Sequence, residues 1–228
     1  KRTLLGEQGE DGHWCYELEA DCTIPSDYIL MMHFMDEVDA ALQTKIARYV
    51  RARQNEEGGW PLYYGGDTDL SCTVKAYYAL KLAGDEPDAP HMARARQVVH
   101  ARGGAIEANI FTRIALAQFR QVPWEAVPFI PVEVMLLPRW FFFHLSKVSY
   151  WSRTVMVPLF ILCSLRVQAR NPQGVDVQEL FVRPPEDEPR YFRPRSRMNR
   201  VYLALDQLGR RIEPLIPGAV RRHTIRKA

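Results

Sequence analysis

Cysteine is scarce: Cys15, Cys22, Cys72 and Cys163 form no CxxC pair and no His/Cys cluster at zinc spacing. That excludes a disulfide framework or a structural metal site of familiar spacing, and it fits reduced cytosolic thiols. The opening "KRTLLGEQGEDGHW" has neither an initiator methionine nor the apolar core of a signal peptide, so it reads as a chain taken from something longer. The longest apolar run, Val155 to Cys163, supplies about half of the ~20 residues that a membrane-spanning helix needs, and Pro158 interrupts it. No bilayer-crossing helix is expected. Sustained apolar–polar alternation is also missing, which argues against strands. No Ser/His/Asp or Cys/His grouping suggests nucleophilic catalysis, and His13, His33, His91, His100, His144 and His223 are scattered as surface or core residues would be.

What is present is apolar sequence at helical spacing, 47% hydrophobic over 228 residues, enough for a substantial soluble core. Ser26 or Asp27 is the expected N-cap of a helix through "SDYILMMHFM", and Leu42, Ile46, Tyr49 and Val50 share one face of the next. Further helices run to Gly84 and to Gly103, and another lies in "ANIFTRIALAQF". Residues 121–138 carry Pro123, Pro128, Pro131 and Pro138 and must form an irregular loop. "SKVSYWSRTVMVPLFILCSLRVQ" reads as a helix apolar on most sides, hence inside the domain, and the proline-rich stretch 170–197 as loop or poorly ordered. A basic amphipathic helix follows at 198–215, with Val201, Leu205, Leu208, Ile212 and Leu215 on one stripe. Arg190 to Ala228 holds 11 Lys/Arg against 2 Asp/Glu, which suits nucleic acid, an anionic membrane surface or simply a solvated end.

One pattern repeats. Gln8-x3-Gly12-x-Trp14 and Gln54-x3-Gly58-x-Trp60 have identical spacing 46 residues apart, a period that accommodates two helices. Glycine after a helix permits the positive φ that ends it, tryptophan can fold back over apolar surface, and glutamine can bond backbone groups left open at helix ends. With Tyr49-Val50 ahead of Gln54, this resembles the QW repeat of triterpene cyclases. The chain as a whole resembles the N-terminal part of bacterial squalene-hopene cyclases, through "DGHWCYELEADCTIPSDYIL", "GGWPLYYGG", "IFTRIALA", "PWEAVPFIPVEVMLLP" and "HLSKVSYWSRTVMVPL". Departures are Thr3, where an aromatic is usual, and Gly103-Gly104, which looks like a third repeat without its tryptophan.

The resemblance implies an all-α fold, an α/α barrel of helix pairs left incomplete in this chain. Residues 1–18 would begin the catalytic barrel and 19–228 build most of the second. It implies cyclisation of squalene to hopene or hopanol, in hopanoid biosynthesis, by protonation of an alkene and a carbocation cascade without cofactor or metal. The family's acid motif, DxDD, does not occur in these 228 residues. "DTDL" at Asp67–Leu70 has two of its acids but sits where a helix N-cap is expected, so no catalytic residue is assigned and the segment alone should be inactive.

For substrate contact the resemblance points to Trp151 in "SYWSR", Phe111 and Asp27. Lys75 and Asn109 stand where some relatives have glutamate and arginine, so the ion pair made there is missing. Leu205, Leu208 and Ile212 would face membrane at the cytoplasmic face of the bacterial inner membrane, peripheral and monotopic, with nearby arginines on headgroups. The implied partners are squalene, the membrane surface and the missing C-terminal catalytic half, with a homodimer left open and no nucleic acid. Other readings are a stand-alone lipid-binding or partner module, or a related class II diterpene cyclase, oxidosqualene cyclase or prenyltransferase subunit. DxDD and further repeats downstream favour the cyclase, and zinc ligands there the prenyltransferase.

Overall fold

Helices account for most of the chain. The computed structural model describes residues 2–15, 21–141, 144–188, 191–192 and 197–228, so the expected boundary between residues 18 and 19 lies outside the described residues. In chain order come α1 (Arg2–Gly6), α2 (Thr23–Met35), α3 (Ala40–Ala52), a two-residue strand β1 (Trp60–Pro61) and its antiparallel partner β2 (Thr68–Asp69). Then follow α4 (Leu70–Leu82), α5 (Pro90–Ala101), α6 (Ile110–Gln118), α7 (Tyr150–Leu165), α8 (Arg197–Ile212) and α9 (Gly218–Lys227).

α4 organises the packing because its sequence, LSCTVKAYYALKL, is apolar nearly all round; ten of its thirteen residues are buried. It meets α2, α3, α5 and α6. A helix without a polar face is stable only when neighbours cover every side, and each fully buried Val- or Leu-sized side chain contributes ~1.5–3 kcal/mol. α3 is the contrasting case, burying Ala47 and Val50 while Arg48 and Arg51 stay exposed. Asp39, Asp69 and Asn109 cap α3, α4 and α6 through their side-chain oxygens, so the cap expected at "DTDL" is Asp69, accepting from Cys72 N at 2.8 Å.

Three expectations need correction. α2 begins at Thr23, three or four residues before the N-cap expected at Ser26 or Asp27. Pro25 fits the first turn, where its missing N–H costs nothing, and Asp21 Oδ1 accepts from Thr23 N at 2.8 Å. Ser26 is instead buried, donating to Cys22 O.

α7 does not lie inside: only Phe160 and Cys163 are buried, while Tyr150, Trp151 and Val155 are exposed. Its all-round apolarity asks for cover on every side, and among the described residues only its C-terminal half receives it.

The stretch 171–188 is not a loose loop, because Val177, Leu180 and Phe181 enter the core. Its backbone is held by Tyr78 Oη on Val175 O, Gln121 Oε1 on Val177 N and His100 on Glu179 O. The Glu179 carboxylate accepts from Tyr77 and Lys81 at 2.8 and 2.6 Å. Burial pushes its pKa up, but these two bonds outweigh burial and leave it below the ordinary value.

The proline-rich segment 121–138 is irregular as expected, with short 3-10 turns at Trp124–Ala126 and Val132–Leu136. Arg113 gathers this region by donating to the carbonyls of Ala108, Ala126 and Tyr191.

Candidate functional site

α2, α4, α6 and α7 leave a groove of about 540 Å³ between them. Leu30, Met31 and Phe34 of α2, Ile114 of α6, and Leu159 and Leu162 of α7 make it apolar. Asp27 and Phe111, two of the residues expected to contact substrate, both line it. Among the described residues the cation in the wall is Lys75, whose Nζ stands 2.7 Å from Asp27 Oδ2. Lys75 is 11% exposed at its side chain and Asp27 46%, so a desolvated ammonium is paired with a carboxylate that water still reaches. Where an ion pair was expected to be missing, Lys75 makes a different one. The available signal was a lone lysine amid the apolar run of α4, since a buried ammonium needs a partner. Asn109 serves as the α6 cap.

Trp151 is not in the groove. It lies on α7 eight residues before Leu159, about 12 Å along the axis, and is 81% exposed. Phe111 also borders a second and larger cavity, about 670 Å³, lined by Arg113, Phe192, Tyr202 and Leu203 among others. The larger cavity holds neither Asp27 nor any α7 residue, so the smaller groove is the better match to the expected contacts.

An apolar trough with an ion pair can bind hydrocarbon and present an aromatic face. Burial raises the thiols of Cys22 and Cys163 to about 11 and raises that of Cys72 as well, so all three stay protonated at neutral pH.

The residues of the repeated motif make matching bonds in both copies. Gln8 Nε2 donates to Gly12 O at 2.6 Å and Gln54 Nε2 to Gly58 O at 2.8 Å. Trp14 Nε1 donates to Leu4 O at 2.6 Å, and Trp60 Nε1 to Val50 O at 2.7 Å, each reaching ten residues back. Gly12 and Gly58 have φ of +89° and +92°, which favours glycine at both positions.

α8 is amphipathic as expected, and two of its charged residues turn toward the protein. Asp206 accepts from Phe129 N at 2.5 Å, Arg210 donates to Val127 O, and Gly209 lies against the Phe129 ring. Asp206 and Arg210 therefore face the protein, while Arg200, Gln207 and Arg211 are exposed. Leu205, Leu208 and Ile212 are about half exposed, with Met198, Val201 and Leu215 similarly uncovered. No helix among the described residues is long and apolar enough to cross a membrane.

These features belong to a helical domain with an open apolar groove. Across residues 1–228 the chain matches the family model for the squalene-hopene cyclase N-terminal domain. It is 50% identical to the squalene–hopene cyclase of Bradyrhizobium diazoefficiens over 97% of its length, and 52% identical to that of Zymomonas mobilis over 98%. A squalene–hopene cyclase of Alicyclobacillus acidocaldarius is 35% identical over 78% of the chain and 28% of that protein. The chain belongs to the squalene-hopene cyclase family. It spans 34% of the length of the Bradyrhizobium and Zymomonas relatives.

Proposed function

We propose that this domain supplies part of the wall of an apolar cavity in which a larger polypeptide cyclises squalene to hopene or hopanol, an isomerase step of hopanoid biosynthesis. The observation that carries this is the meeting of Asp27 and Phe111 in one hydrocarbon-lined groove, together with the uncovered aromatic half of α7 around Trp151. A cationic cascade needs dry walls that offer π-faces and withhold water until the last step. Phe111 and Trp151 supply such faces. The acid that protonates the alkene comes from outside these 228 residues, so the segment alone is inactive.

On this reading residues 1–18 begin the catalytic α/α barrel, 19–228 form most of a second one, and Gln8–Trp14 and Gln54–Trp60 act as QW repeats tying helix ends together. The outward leucines of α8 support a monotopic seat on the cytoplasmic face of the membrane, where the hydrocarbon substrate resides. The test is incubation of the full-length polypeptide with squalene in lipid vesicles, with products separated by gas chromatography and mass spectrometry. A pentacyclic product is expected. Failure to consume squalene, with turnover of a different prenyl substrate, would overturn the proposal.

A further inference from the structure

The apolar groove has two unlike ends. α2 lines it from Asp27 to Met35 and α6 from Phe111 to Phe119, so it follows both helices for about 12 Å at ~1.5 Å per residue. Asp27 pairs with Lys75 of α4. Three residues further along α4 the Tyr78 ring meets Phe119 edge-on, with centroids 5.3 Å apart, and Phe119 meets Phe34 of α2 at 6.4 Å. The three helices therefore run in the same direction, with the ion pair at one end of the groove and a ladder of rings at the other.

The chain leaving α7 closes the ring end. Ala169 N donates to Gln118 O at 2.7 Å, and Arg170 Nη1 stands 3.6 Å from Asp36 Oδ2, which joins the C-terminal ends of α6 and α2. Behind the rings Tyr78 Oη donates to Val175 O at 3.2 Å. Phe119 and Ala169 are buried there, and Phe34 is half-buried at the groove surface. The ion-pair end is open. Phe111 also borders the larger cavity, and Trp151 lies on that side, because α7 reaches the ring end with its C-terminus and Trp151 stands near its start.

We infer that Phe34 is the stop against which the end of the hydrocarbon substrate rests, so that the depth of the groove measures chain length. Phe119 is a positioning residue: its edge-to-face contacts with Tyr78 and Phe34 fix the stop, and the packing behind it leaves no room to retreat. A linear polyprene enters from the Trp151 side, and its terminal isoprene unit lies between the ion pair and Phe34, against Leu30, Ile114 and Leu159. A chain one isoprene unit longer is refused, since a single surplus methylene in an apolar pocket already costs about tenfold or more. This inference rests on the proposal that the groove walls the reaction cavity.

The test compares squalene with a linear polyprene one isoprene unit longer, using the full-length polypeptide. Both kcat/KM and Kd are measured, the latter by competition in detergent micelles. Phe34→Ala and the more conservative Phe34→Leu should raise the preference for the longer chain over squalene about tenfold or more in both quantities. Ala115→Leu, one turn ahead of Phe119 on α6, fills the groove before the stop and should shift preference by a similar factor toward a chain one unit shorter than squalene. Equal losses for all chains, with the preferences unchanged, would mean that these side chains only pack the domain and would overturn the inference. Squalene consumption by the parent reports separately on the enzymatic reading. Shifted Kd ratios without turnover contradict the enzyme alone, and turnover with unshifted ratios contradicts the stop alone.

Discussion

Removing the anion from the Asp27–Lys75 pair should harm the protein more than removing the cation. Lys75 is 11% exposed in an apolar wall, whereas Asp27 is 46% exposed and keeps its water. Asp27→Asn preserves shape but leaves the ammonium without its counter-charge. Breaking a fully buried pair costs ~3–5 kcal/mol, and groove water reaching Asp27 reduces that here to ~1–2 kcal/mol. Lys75→Met instead removes the desolvated charge, adds apolar contact with Phe34 and Leu159 across the groove, and leaves a carboxylate that solvent still hydrates. Its cost should be ~0–1 kcal/mol. Scanning calorimetry of the full-length protein at pH 7 reads the difference, because 1 kcal/mol moves the melting temperature of a domain this size by about 2–4 °C. Asp27→Asn should therefore melt about 2–8 °C lower and Lys75→Met within about 4 °C of the parent, with the double variant close to Lys75→Met. A Lys75→Met loss equal to or larger than the Asp27→Asn loss would refute the reasoning.

Acid should unfasten two other clusters. Burial raises the pKa of Asp85, yet hydrogen bonds from Arg51 and His91 outweigh it and leave the carboxyl below its ordinary 3.8; Glu179 is likewise held below 4.5 by Lys81 and Tyr77. A depressed folded pKa contributes stability that is present above the unfolded value and lost as pH falls through the folded one. Asp85→Asn and Glu179→Gln should thus lower the melting temperature at pH 7, with the deficit shrinking below about pH 4; a deficit that is constant with pH would contradict this. On α8, Leu205→Asp or Leu208→Asp should weaken vesicle binding about tenfold or more in flotation assays, the loss of ~1.5 kcal/mol of leucine burial, while Gln207→Asp should not. Equal effects from all three would remove the case for an oriented membrane face.

The helices were legible because their apolar periodicity is strong, and the two motif copies were legible because spacing alone carried them. Lone capping residues misled where several competed. Asp21 and Pro25 start α2, and Ser26, a good cap by type, is drawn into the core by its bond to Cys22 O. The stretch 171–188 looked too polar and proline-rich to pack, but three apolar residues and the groups offered by Tyr77, Tyr78, Lys81, His100 and Gln121 hold it, and those partners lie far away in sequence. For α8 the pattern gave two faces without saying which one packs. That was decided by the loop at 127–129, whose carbonyl and amide need Arg210 and Asp206. In the groove, family resemblance brought Asp27 and Phe111 forward, whereas a lone lysine in the apolar run of α4 signals only that it needs a partner, and that the partner is Asp27 depends on α2 lying across α4.

The most direct test of the account is kcat/KM for squalene in the full-length enzyme, comparing Phe111→Ala and Trp151→Ala with Tyr64→Ala. Tyr64 is 90% exposed, lies between β1 and β2 and is given no contact with substrate. The first two should lose about tenfold or more, the ~1.4–2 kcal/mol that an aromatic face gives a desolvated cation, while Tyr64→Ala stays near the parent. Unchanged kcat/KM in both Phe111→Ala and Trp151→Ala, or an equal loss in all three variants, would contradict the claim that this domain walls the reaction cavity.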